Sequence, residues 1–439
     1  MKKLLHSFRF LCCFIILLSF SLNICAQEPD DGPVVSELNQ ILKPFTLSNR
    51  EDTTAIVPKN LLAKMSIIAL GEATHGTKEF NLYRSEIIRD QIVHNNVKTV
   101  AMETDYCYSL VLNDYLMSDK KDSLYKFMYK TGLYGIYMTQ EVYNMLKWIK
   151  GYNLTQDRKN RVRVLGIDMQ QPYIITKSIL ESFTNLKNID SNAYNQLKTY
   201  NKQSTSNGYK MSKTQKETYK ALANTLMSHA RQEGKDTLNI FQFIRLFDQS
   251  LDLMGSAGMF TNYYRNLDVV RDRYMAENVL WLLHNNPSNG KLILWAHNGH
   301  IAHAKLEGST RMGYYLKNYL KDKYYAIGSG FDEGYVRIFD FKNTRKYTSF
   351  SYGSSVKLNS IEYVLKKCRE QSFFLDVREM AMDEKLRPFL KKNKYTRVIG
   401  AVYMDDQNKD YREYPLDDCY DGFVFFKKTS AAEDITNKN

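Results

Sequence analysis

Histidine and carboxylate side chains follow several short apolar runs of this sequence, each directly after the run ends. Taken singly, such a residue is more typical of a helix cap or a solvated loop. Side chains of these types transfer protons or bind metal ions in enzymes, and several together indicate a site. Three of the seven histidines beyond residue 26 fall within "WAHNGHIAH". The residues that follow the runs are Glu72 and His75, then Glu103 and Asp105, then Asp168, and finally His297 and His300.

Three common hydrolase designs are missing from the sequence. No G-x-S-x-G segment occurs, which argues against a serine nucleophile on a sharp turn. Neither H-E-x-x-H, a C-x-x-C pair nor a glycine-rich phosphate loop is present. Cys107 follows "METDY" and is interpreted as a core residue rather than a nucleophile. Histidine and carboxylate chemistry therefore remains, either as activation of water or as a metal site.

Activation of water requires a base whose pKa is close to neutral, and histidine is the natural choice. A neighbouring carboxylate fixes the histidine tautomer and stabilises the imidazolium that forms. A cation or a second histidine would then support negative charge on a carbonyl oxygen. Arg84 lies nine residues after His75 on the predicted next helix, where it is either this cation or a surface residue.

A metal site is the second reading of the same residues. His297 and His300 with a nearby carboxylate offer ligands for zinc or another divalent ion. Their H-x-x-H spacing is short, and a loop that turns into a helix does not ensure convergent side chains. The residues alone leave both readings open.

The runs that carry these residues predict the strands of one sheet. They are rich in Val and Ile, and segments of helical periodicity such as "EFNLYRSEIIRDQIVHNN" and "QEVYNMLKWIKGY" separate them. This alternation predicts an α/β fold with a mostly parallel central sheet flanked by helices. Ligands of such sheets bind beyond the carboxyl ends of the strands, where the polar residues stand. The predicted strands lie in "SIIALGEATHG", "VKTVAMETDY", "RVRVLGIDMQ", "KLILWAHNGH", "YYAIGSGFDEG", "TRVIGAVYMDD" and "DGFVFFKK", the last at an edge.

Residues 174–285 show helical spacing without a convincing strand, which predicts a large helical insertion over the strand C-terminal ends. Its last helix, "LDVVRDRYMAENVLWLLHN", places Val270, Met275, Val279 and Leu282 on one buried side. No linker separates the insertion, so residues 27–439 are predicted to form one domain. The tail "KKTSAAEDITNKN" is expected to be loose.

The first 26 residues predict a secretory signal peptide. Lys2, Lys3 and Arg9 precede an apolar stretch, and Ala26 supplies a small residue before a polar segment. The mature chain is thus expected to be exported, periplasmic or extracellular. A lipid anchor on Cys25 is the less favoured alternative, because the residues before it are not small. No second apolar run of 18 residues occurs, so no integral membrane span is expected.

The charge and the remaining cysteines exclude further classes. The formal net charge of +13 comes from Lys and Arg that are scattered, without a basic run or nucleic-acid motif. A generally cationic surface is therefore expected, and no nucleic-acid partner. Cys107, Cys368 and Cys419 are too few and too spread for a disulfide framework, and nothing in their spacing selects a pair.

The motifs "LGEATHGTKEF", "AMETDY" and "WAHNGHI" resemble those of the erythromycin esterase family in sequence, order and spacing. "GIDMQQP", "RDRYMAEN" and "RMGYYL" followed by "YYAIGSGFDEG" agree as well. The resemblance extends from about residue 38 to residue 427, and it implies an α/β core in which a histidine deprotonates water for attack on an ester. It also implies independence from metals and other cofactors.

Carried over by motif, the resemblance assigns roles to individual residues. His75 would be the base, Glu72 and Glu103 its supporting acids, Arg84 an active-site cation, and His297 a second catalytic or substrate-polarising histidine. Three further residues are candidates for substrate binding. They are His300, Asp168 and Arg271. His300 could instead cap a helix, and Asp168 could orient a histidine or cap a turn. Arg271 could instead form hydrogen bonds with the core.

Three hypotheses follow for the function of the chain. The first is an exported hydrolase of a small-molecule ester or lactone, with macrolide ring opening as one case. The second is a metal-dependent hydrolase or peptidase that uses the same histidines and carboxylates. The third is a non-catalytic protein that keeps the cleft for a ligand. The helical insertion shows no recognisable substrate pattern, so the substrate stays open.

Overall fold

The computed structural model of the chain describes residues 30–47, 56–130, 134–205, 211–233, 238–253, 263–285, 290–306, 308–355, 357–401, 403 and 407–436. The predicted signal peptide and Cys25 lie outside these residues. No helix in the described part of the chain is long and apolar enough to cross a membrane.

Helices and strands alternate along most of the chain. The strands are β1 (Lys43–Pro44), β2 (Ile67–Leu70), β3 (Thr99–Asp105), β4 (Arg163–Asp168), β5 (Leu292–Trp295), β6 (Lys305–Leu306), β7 (Ser309–Thr310), β8 (Tyr324–Phe339), β9 (Tyr347–Tyr352), β10 (Ser372–Asp376), β11 (Tyr395–Arg397), β12 (Tyr411–Glu413) and β13 (Gly422–Thr429). The helices as far as β5 are α1 (Gly32–Ile41), α2 (Lys59–Leu62), α3 (Lys78–Asn95), α4 (Tyr106–Met117), α5 (Leu124–Lys130), α6 (Gln140–Leu154), α7 (Pro172–Ser182), α8 (Leu186–Ile189), α9 (Ser191–Ser204), α10 (Lys213–Glu233), α11 (Leu238–Leu253) and α12 (Tyr263–His284). The later helices are α13 (Asn298–Ile301), α14 (Met312–Leu320), α15 (Ile361–Leu365), α16 (Val377–Met382), α17 (Arg387–Lys392) and α18 (Leu416–Cys419).

The central sheet has the strand order β1-β10-β13-β8-β2-β5-β3-β4, and β9 pairs with β8. The six strands from β13 to β4 are parallel to one another, whereas β1, β10 and β9 join antiparallel. The predicted mostly parallel sheet is therefore confirmed. Because β5 lies between β2 and β3, the carboxyl ends of three strands that carry predicted site residues are neighbours.

Strand β2 shows why the apolar runs form the middle of the sheet. All four of its residues are buried, with Ile67 and Ala69 in the core on one face and Ile68 and Leu70 in the core on the other. A strand covered on both faces is expected to be continuously apolar. The polar residues can begin only where the strand leaves the sheet, which is at Gly71.

Six helices, α7 to α12, separate β4 from β5, and the described residues between these strands contain no other regular strand. Met275, Val279 and Leu282 of α12 are buried as predicted, while Val270 is half-buried. Asn278 of the same helix donates to the Ile167 carbonyl near the end of β4, at 3.0 Å. Helix α12 therefore lies against the carboxyl end of the sheet.

Three predictions about the C-terminal part are wrong. The last strand, β13, lies inside the sheet between β10 and β8 rather than at an edge. Only Tyr395–Arg397, which overlaps the start of "TRVIGAVYMDD", is a strand, and it pairs with β12 in a separate two-stranded sheet. The third error concerns the tail, because residues 430–436 form backbone hydrogen bonds with the rest of the protein.

Residues 430–436, here called the C-terminal strap, bind two loops of the protein. The Ala432 N–H donates to the Gly76 carbonyl at 2.9 Å, and the Ser430 carbonyl accepts from the Lys78 N–H at 2.9 Å. On the other side, the Ile435 N–H donates to the Met138 carbonyl at 3.2 Å. The strap is therefore held by backbone hydrogen bonds that a reading of composition cannot reveal.

Candidate active site

The loop after β2 brings His75 to the carboxyl end of the sheet. Gly71 and Gly76 permit the close packing of this loop: a Cβ at Gly71 would lie 2.3 Å from Asn298 Oδ1, and one at Gly76 would lie 1.6 Å from the Arg337 carbonyl oxygen. Thr77 stands at the N-cap of α3, but its side chain forms no capping hydrogen bond. Its hydroxyl instead lies 2.7 Å from that of Thr74.

His75 forms a hydrogen-bonded pair with Glu72. The distance from His75 Nδ1 to Glu72 Oε1 is 2.7 Å, and the Glu72 side chain is buried whereas 12% of the His75 side chain is exposed. The carboxylate accepts, so Nδ1 carries a proton. Within the described residues Nε2 of His75 forms no hydrogen bond, and it is left as the nitrogen that can accept a proton from the cleft.

Arg84 supports this pair from below. Its guanidinium forms an ion pair with the second oxygen of Glu72 and stacks on Trp295, 4.0 Å from the ring centroid. Burial alone would raise the pKa of Glu72, but Arg84 and His75 together lower it. Glu72 is therefore an anion, and Arg84, which is fully buried, has its charge next to Glu72 rather than at the surface.

Glu103, at the end of β3, accepts three hydrogen bonds. Oε2 accepts from the His297 backbone N–H at 2.9 Å, and Oε1 is 3.0 Å from Arg271 Nη2 and 3.2 Å from His300 Nε2. Burial would raise the pKa of Glu103, but His300, Arg271 and His75 hold it well below its ordinary value. This carboxylate therefore links the two histidine motifs and α12.

Arg271 reaches the site from α12 and is bound mainly by Asp168. Its Nη2 lies 2.6 Å from Asp168 Oδ2, and its Nε lies 3.2 and 3.1 Å from the two carboxylate oxygens. Asp168 is fully buried and also accepts from Tyr134 at 3.4 Å. Asp168 thus contacts an arginine and a tyrosine rather than a histidine, whereas 12% of the Arg271 side chain is exposed.

His300 lies between two carboxylates. Its Nδ1 is 2.8 Å from Asp272 Oδ1, and its Nε2 is 3.2 Å from Glu103 Oε1. Burial alone would lower the pKa of His300, but Asp272 and Glu103 outweigh burial and raise it to about 10. His300 is therefore an imidazolium at neutral pH, with 13% of its side chain exposed.

His297 differs from the other two histidines because its ring nitrogens contact backbone groups rather than carboxylates. Nδ1 accepts from the Gly299 N–H at 3.3 Å and caps the short helix α13, and Nε2 lies 3.2 Å from the Ile399 carbonyl oxygen, to which it donates. Burial and the neighbouring His75 lower its pKa to about 4. His297 is thus neutral, and its ring lies 5.0 Å from that of His75.

The structure brings the predicted site residues into one cluster of contacts. Asp168 and Arg84 belong to this cluster, but both are fully buried. Asp272, Tyr134 and Tyr137 were not selected from the sequence. The hydroxyl of Tyr137 donates to the Glu103 carbonyl at 3.2 Å. Asp272 directly follows Arg271, but adjacent helix positions rarely share a target, so no sequence pattern selects it. The two tyrosines lie in a segment without any strand or helix pattern.

The arrangement favours proton transfer beside fixed positive charge. His75 has an imidazole nitrogen without a hydrogen bond in the described residues and is backed by an anion, and the partly exposed Arg271 and His300 carry positive charge beside Glu103. Such a pairing suits attack of water on a carbonyl whose oxygen becomes negative. Among the described residues, no group of three or more His, Cys, Asp and Glu side chains is placed to hold a metal ion.

Comparisons with known proteins identify the family of this chain. The family model "Erythromycin esterase" matches residues 92–429. Erythromycin esterase type II of Escherichia coli is 23% identical over 427 residues, which cover 89% of this chain and 96% of that protein. The family match begins after His75, whereas the Escherichia coli alignment spans more of the chain.

Two solved structures share the fold. A crystal structure of a succinoglycan biosynthesis protein superposes with a TM-score of 0.78 at 20% identity, covering 93% of this chain and 100% of that one. A mutant of the erythromycin esterase EreC in its open conformation superposes with a TM-score of 0.61 at 20% identity, covering 86% and 94%. At these identities the two structures support the fold alone.

Proposed function

Because this chain belongs to the erythromycin esterase family, we propose that it is a hydrolase that cleaves a carboxylic ester or lactone with water activated by His75. One observation carries the proposal: the partly exposed His75 is bound through Nδ1 to the buried Glu72, so Nε2 faces the cleft as a base. Family membership supports ester hydrolysis in general. The roles of individual residues and the substrate are our proposals.

In this reaction His75 Nε2 takes a proton from water while the water oxygen bonds to the ester carbonyl carbon. The carbonyl π electrons move to the oxygen, whose negative charge the cationic edges of Arg271 and His300 stabilise. Glu72 stabilises the imidazolium of His75 through the Nδ1–H. Collapse of the intermediate breaks the bond to the alkoxide, which receives the proton from His75, and a carboxylic acid and an alcohol are released.

A macrolide lactone is the substrate to test first, because the Escherichia coli relative is named an erythromycin esterase. Opening a lactone ring adds one water and releases no fragment, whereas cleavage of an open ester gives two products. A panel that contains both kinds of ester therefore distinguishes them by mass. We propose that Glu103, Arg271 and His300 have the same roles with either kind of substrate.

The experiment incubates the purified chain with macrolides and simple aryl and alkyl esters and follows products by mass spectrometry. We expect His75→Asn to fold normally and to lose at least about a hundredfold in turnover, since a positioned base contributes roughly 10²–10⁴-fold. His94→Asn is the matched control, because His94 lies on the exposed side of α3 with half of its side chain in solvent. Unchanged turnover in His75→Asn would overturn the mechanism.

Chelation and ligand binding test the two other hypotheses in the same assay. Loss of turnover with a chelator, restored by one metal ion per chain, would support a metal-dependent hydrolase instead. Tight binding of a panel member without any product would support a ligand-binding protein.

We further propose that the chain is exported by its first 26 residues. Mass spectrometry of the mature protein from a host with a secretory pathway measures the new N-terminus. A chain that begins at Gln27 supports cleavage, whereas an acylated Cys25 would indicate a lipid anchor, and an intact Met1 would contradict export by this segment.

A further inference from the structure

Asp272 lies behind His300 and contacts groups from two other parts of the fold, α13 and the N-terminus of α14. It belongs to α12 and is fully buried. Its Oδ1 is 2.8 Å from His300 Nδ1 and accepts from the Met312 N–H at 2.9 Å, while Oδ2 is 3.4 Å from Arg311 Nη1. Because the contacts to Met312 and Arg311 do not involve His300, the carboxylate is held in place independently of the histidine it binds.

The position of Asp272 determines both the orientation and the charge of His300. A carboxylate oxygen only accepts, so Nδ1 carries a proton. Nε2 lies 3.2 Å from both Glu103 Oε1 and Arg271 Nη1, and the two carboxylates raise the pKa of His300 so that Nε2 is protonated as well. The ring is thus a doubly protonated cation whose Nδ1–H is committed to Asp272. Its Nε2–H points to Glu103 and to the cleft.

The charged groups around His300 come from several elements. Arg271 of α12 approaches with Nη1 3.2 Å from His300 Nε2, and Glu103 of β3 lies between the two cations. The neutral His297 lies on the same turn, with 6.3 Å between the ring centroids. Two donors cannot bond each other, so Arg271 and His300 converge on Glu103 and present their exposed edges side by side.

Glu103 has two donors besides His300, and both would remain if a substrate oxygen took its place at His300. Its Oε2 keeps the His297 N–H and its Oε1 keeps Arg271 Nη2, so the carboxylate stays bound by two donors. The Nε2–H of His300 then becomes free for an oxygen in the cleft. Asp272 would hold the ring during this exchange, because its contacts with Met312 and Arg311 do not involve Glu103.

We propose that Asp272 is a positioning residue of the hydrolysis, holding His300 as a cation whose Nε2–H faces the oxygen that becomes negative. The inference rests on the proposed ester hydrolysis, since it assigns Asp272 a role in stabilising that reaction's oxyanion. Asp272 does not contact the substrate. It acts through His300, as a carboxylate behind a histidine does in other proton-transfer sites.

Asp272→Asn separates charge from geometry, because an asparagine oxygen can still accept from Nδ1 while the negative charge is lost. The first readout is kcat/KM on the hydrolysed ester from pH 6 to pH 10. We expect the unmodified chain to keep its activity up to about pH 9, since Asp272 and Glu103 hold the pKa of His300 near 10. In Asp272→Asn the alkaline limb should move toward neutral pH, with at least about a tenfold loss at pH 9 relative to pH 6.5.

The second readout needs no substrate: NMR of the chain labelled with ¹⁵N in its histidine rings, with His300 assigned by His300→Gln. We expect an imidazolium signal for His300 at pH 8 in the unmodified chain and a neutral ring in Asp272→Asn. Arg311→Met is the matched control, because it removes one contact of Asp272 without its charge, and its His300 should remain an imidazolium.

The two readouts separate failure of this inference from failure of the proposed function. A neutral His300 at pH 8 in the unmodified chain would overturn the inference even if Asp272→Asn did not fold. An equal loss of activity at all pH values with an unmoved His300 signal would reduce Asp272 to a structural residue. If the chain hydrolyses no ester yet His300 is a cation that depends on Asp272, the proposed function fails and the charge assignment stands.

Discussion

Arg84 belongs to the predicted site, yet it lies in the interior of the protein. It is fully buried, its only charged partner in the described residues is Glu72, and Trp295 packs on its guanidinium plane. Breaking a buried ion pair by removing one partner is strongly destabilising, because the other charge remains without compensation. The same change would leave Glu72 less able to orient His75.

We therefore expect Arg84→Met to lower the free energy of unfolding by about 3–5 kcal/mol and to reduce ester turnover. Urea unfolding followed by circular dichroism measures the first effect. Arg89→Met is the control on the same helix, since Arg89 is only partly buried and stacks on Trp148 at 5.5 Å. A loss in Arg84→Met no larger than in Arg89→Met would contradict this account.

The residue types of the site could be predicted from sequence, but not all of their contacts. Glu72, His75 and Glu103 were found because the carboxyl ends of parallel strands converge. The use of both His297 nitrogens depends on the Ile399 carbonyl, about a hundred residues later in a segment predicted to be a strand. Asp272 was not predicted because its contact with His300 depends on where α12 lies relative to the sheet. The periodicity of a helix does not specify that position.

At the scale of elements, the C-terminal strap connects the loop that carries His75 to the segment around Met138. It bonds Gly76, next to His75, through the Ala432 N–H, and it bonds Met138 through the Ile435 N–H. Tyr137, adjacent to Met138, donates to the carbonyl of Glu103. The strap therefore fixes the base-bearing loop relative to the loop that supports Glu103.

We expect Ala432→Pro to impair hydrolysis while the fold remains, because proline removes the N–H that bonds Gly76 and lets the His75 loop move. A displacement near 1 Å can cost roughly a hundredfold in rate. Turnover and circular dichroism of the same preparations measure the two properties. Ala431→Pro is the matched control, since the paired strands bond through Ser430 and Ala432 and not through the Ala431 N–H. Equal turnover in both variants would argue against a role for the strap.

The element pattern was predictable where a segment is buried on both faces. The apolar runs of β2, β3, β4, β5 and the start of β8 stand out because helices cover both sides of the sheet. Strand β10 and the hairpin of β8 with β9 were not predicted, and the strap was expected to be loose. Antiparallel additions and backbone-bound tails depend on pairing partners far along the chain, so their own composition is uninformative.

At the scale of the whole molecule, the core rather than a cross-link holds the described chain together. Cys107, Cys368 and Cys419 are free and buried, each within the apolar core. Burial raises the pKa of Cys368 to about 11 and raises the pKa values of Cys107 and Cys419 well above the ordinary range. The sequence left a disulfide between two of these residues open, and the structure forms none among them.

We therefore expect the chain from Gln27 onward to be insensitive to reductant and inert to thiol reagents while folded. The thiolate is the reactive form, and both burial and a raised pKa keep these groups as thiols at pH 8. Titration with a chromogenic disulfide should detect essentially no thiol in the native protein and three after unfolding in guanidinium. A melting temperature that falls with reductant, or a native thiol that reacts within seconds, would contradict a fold stabilised by its core alone.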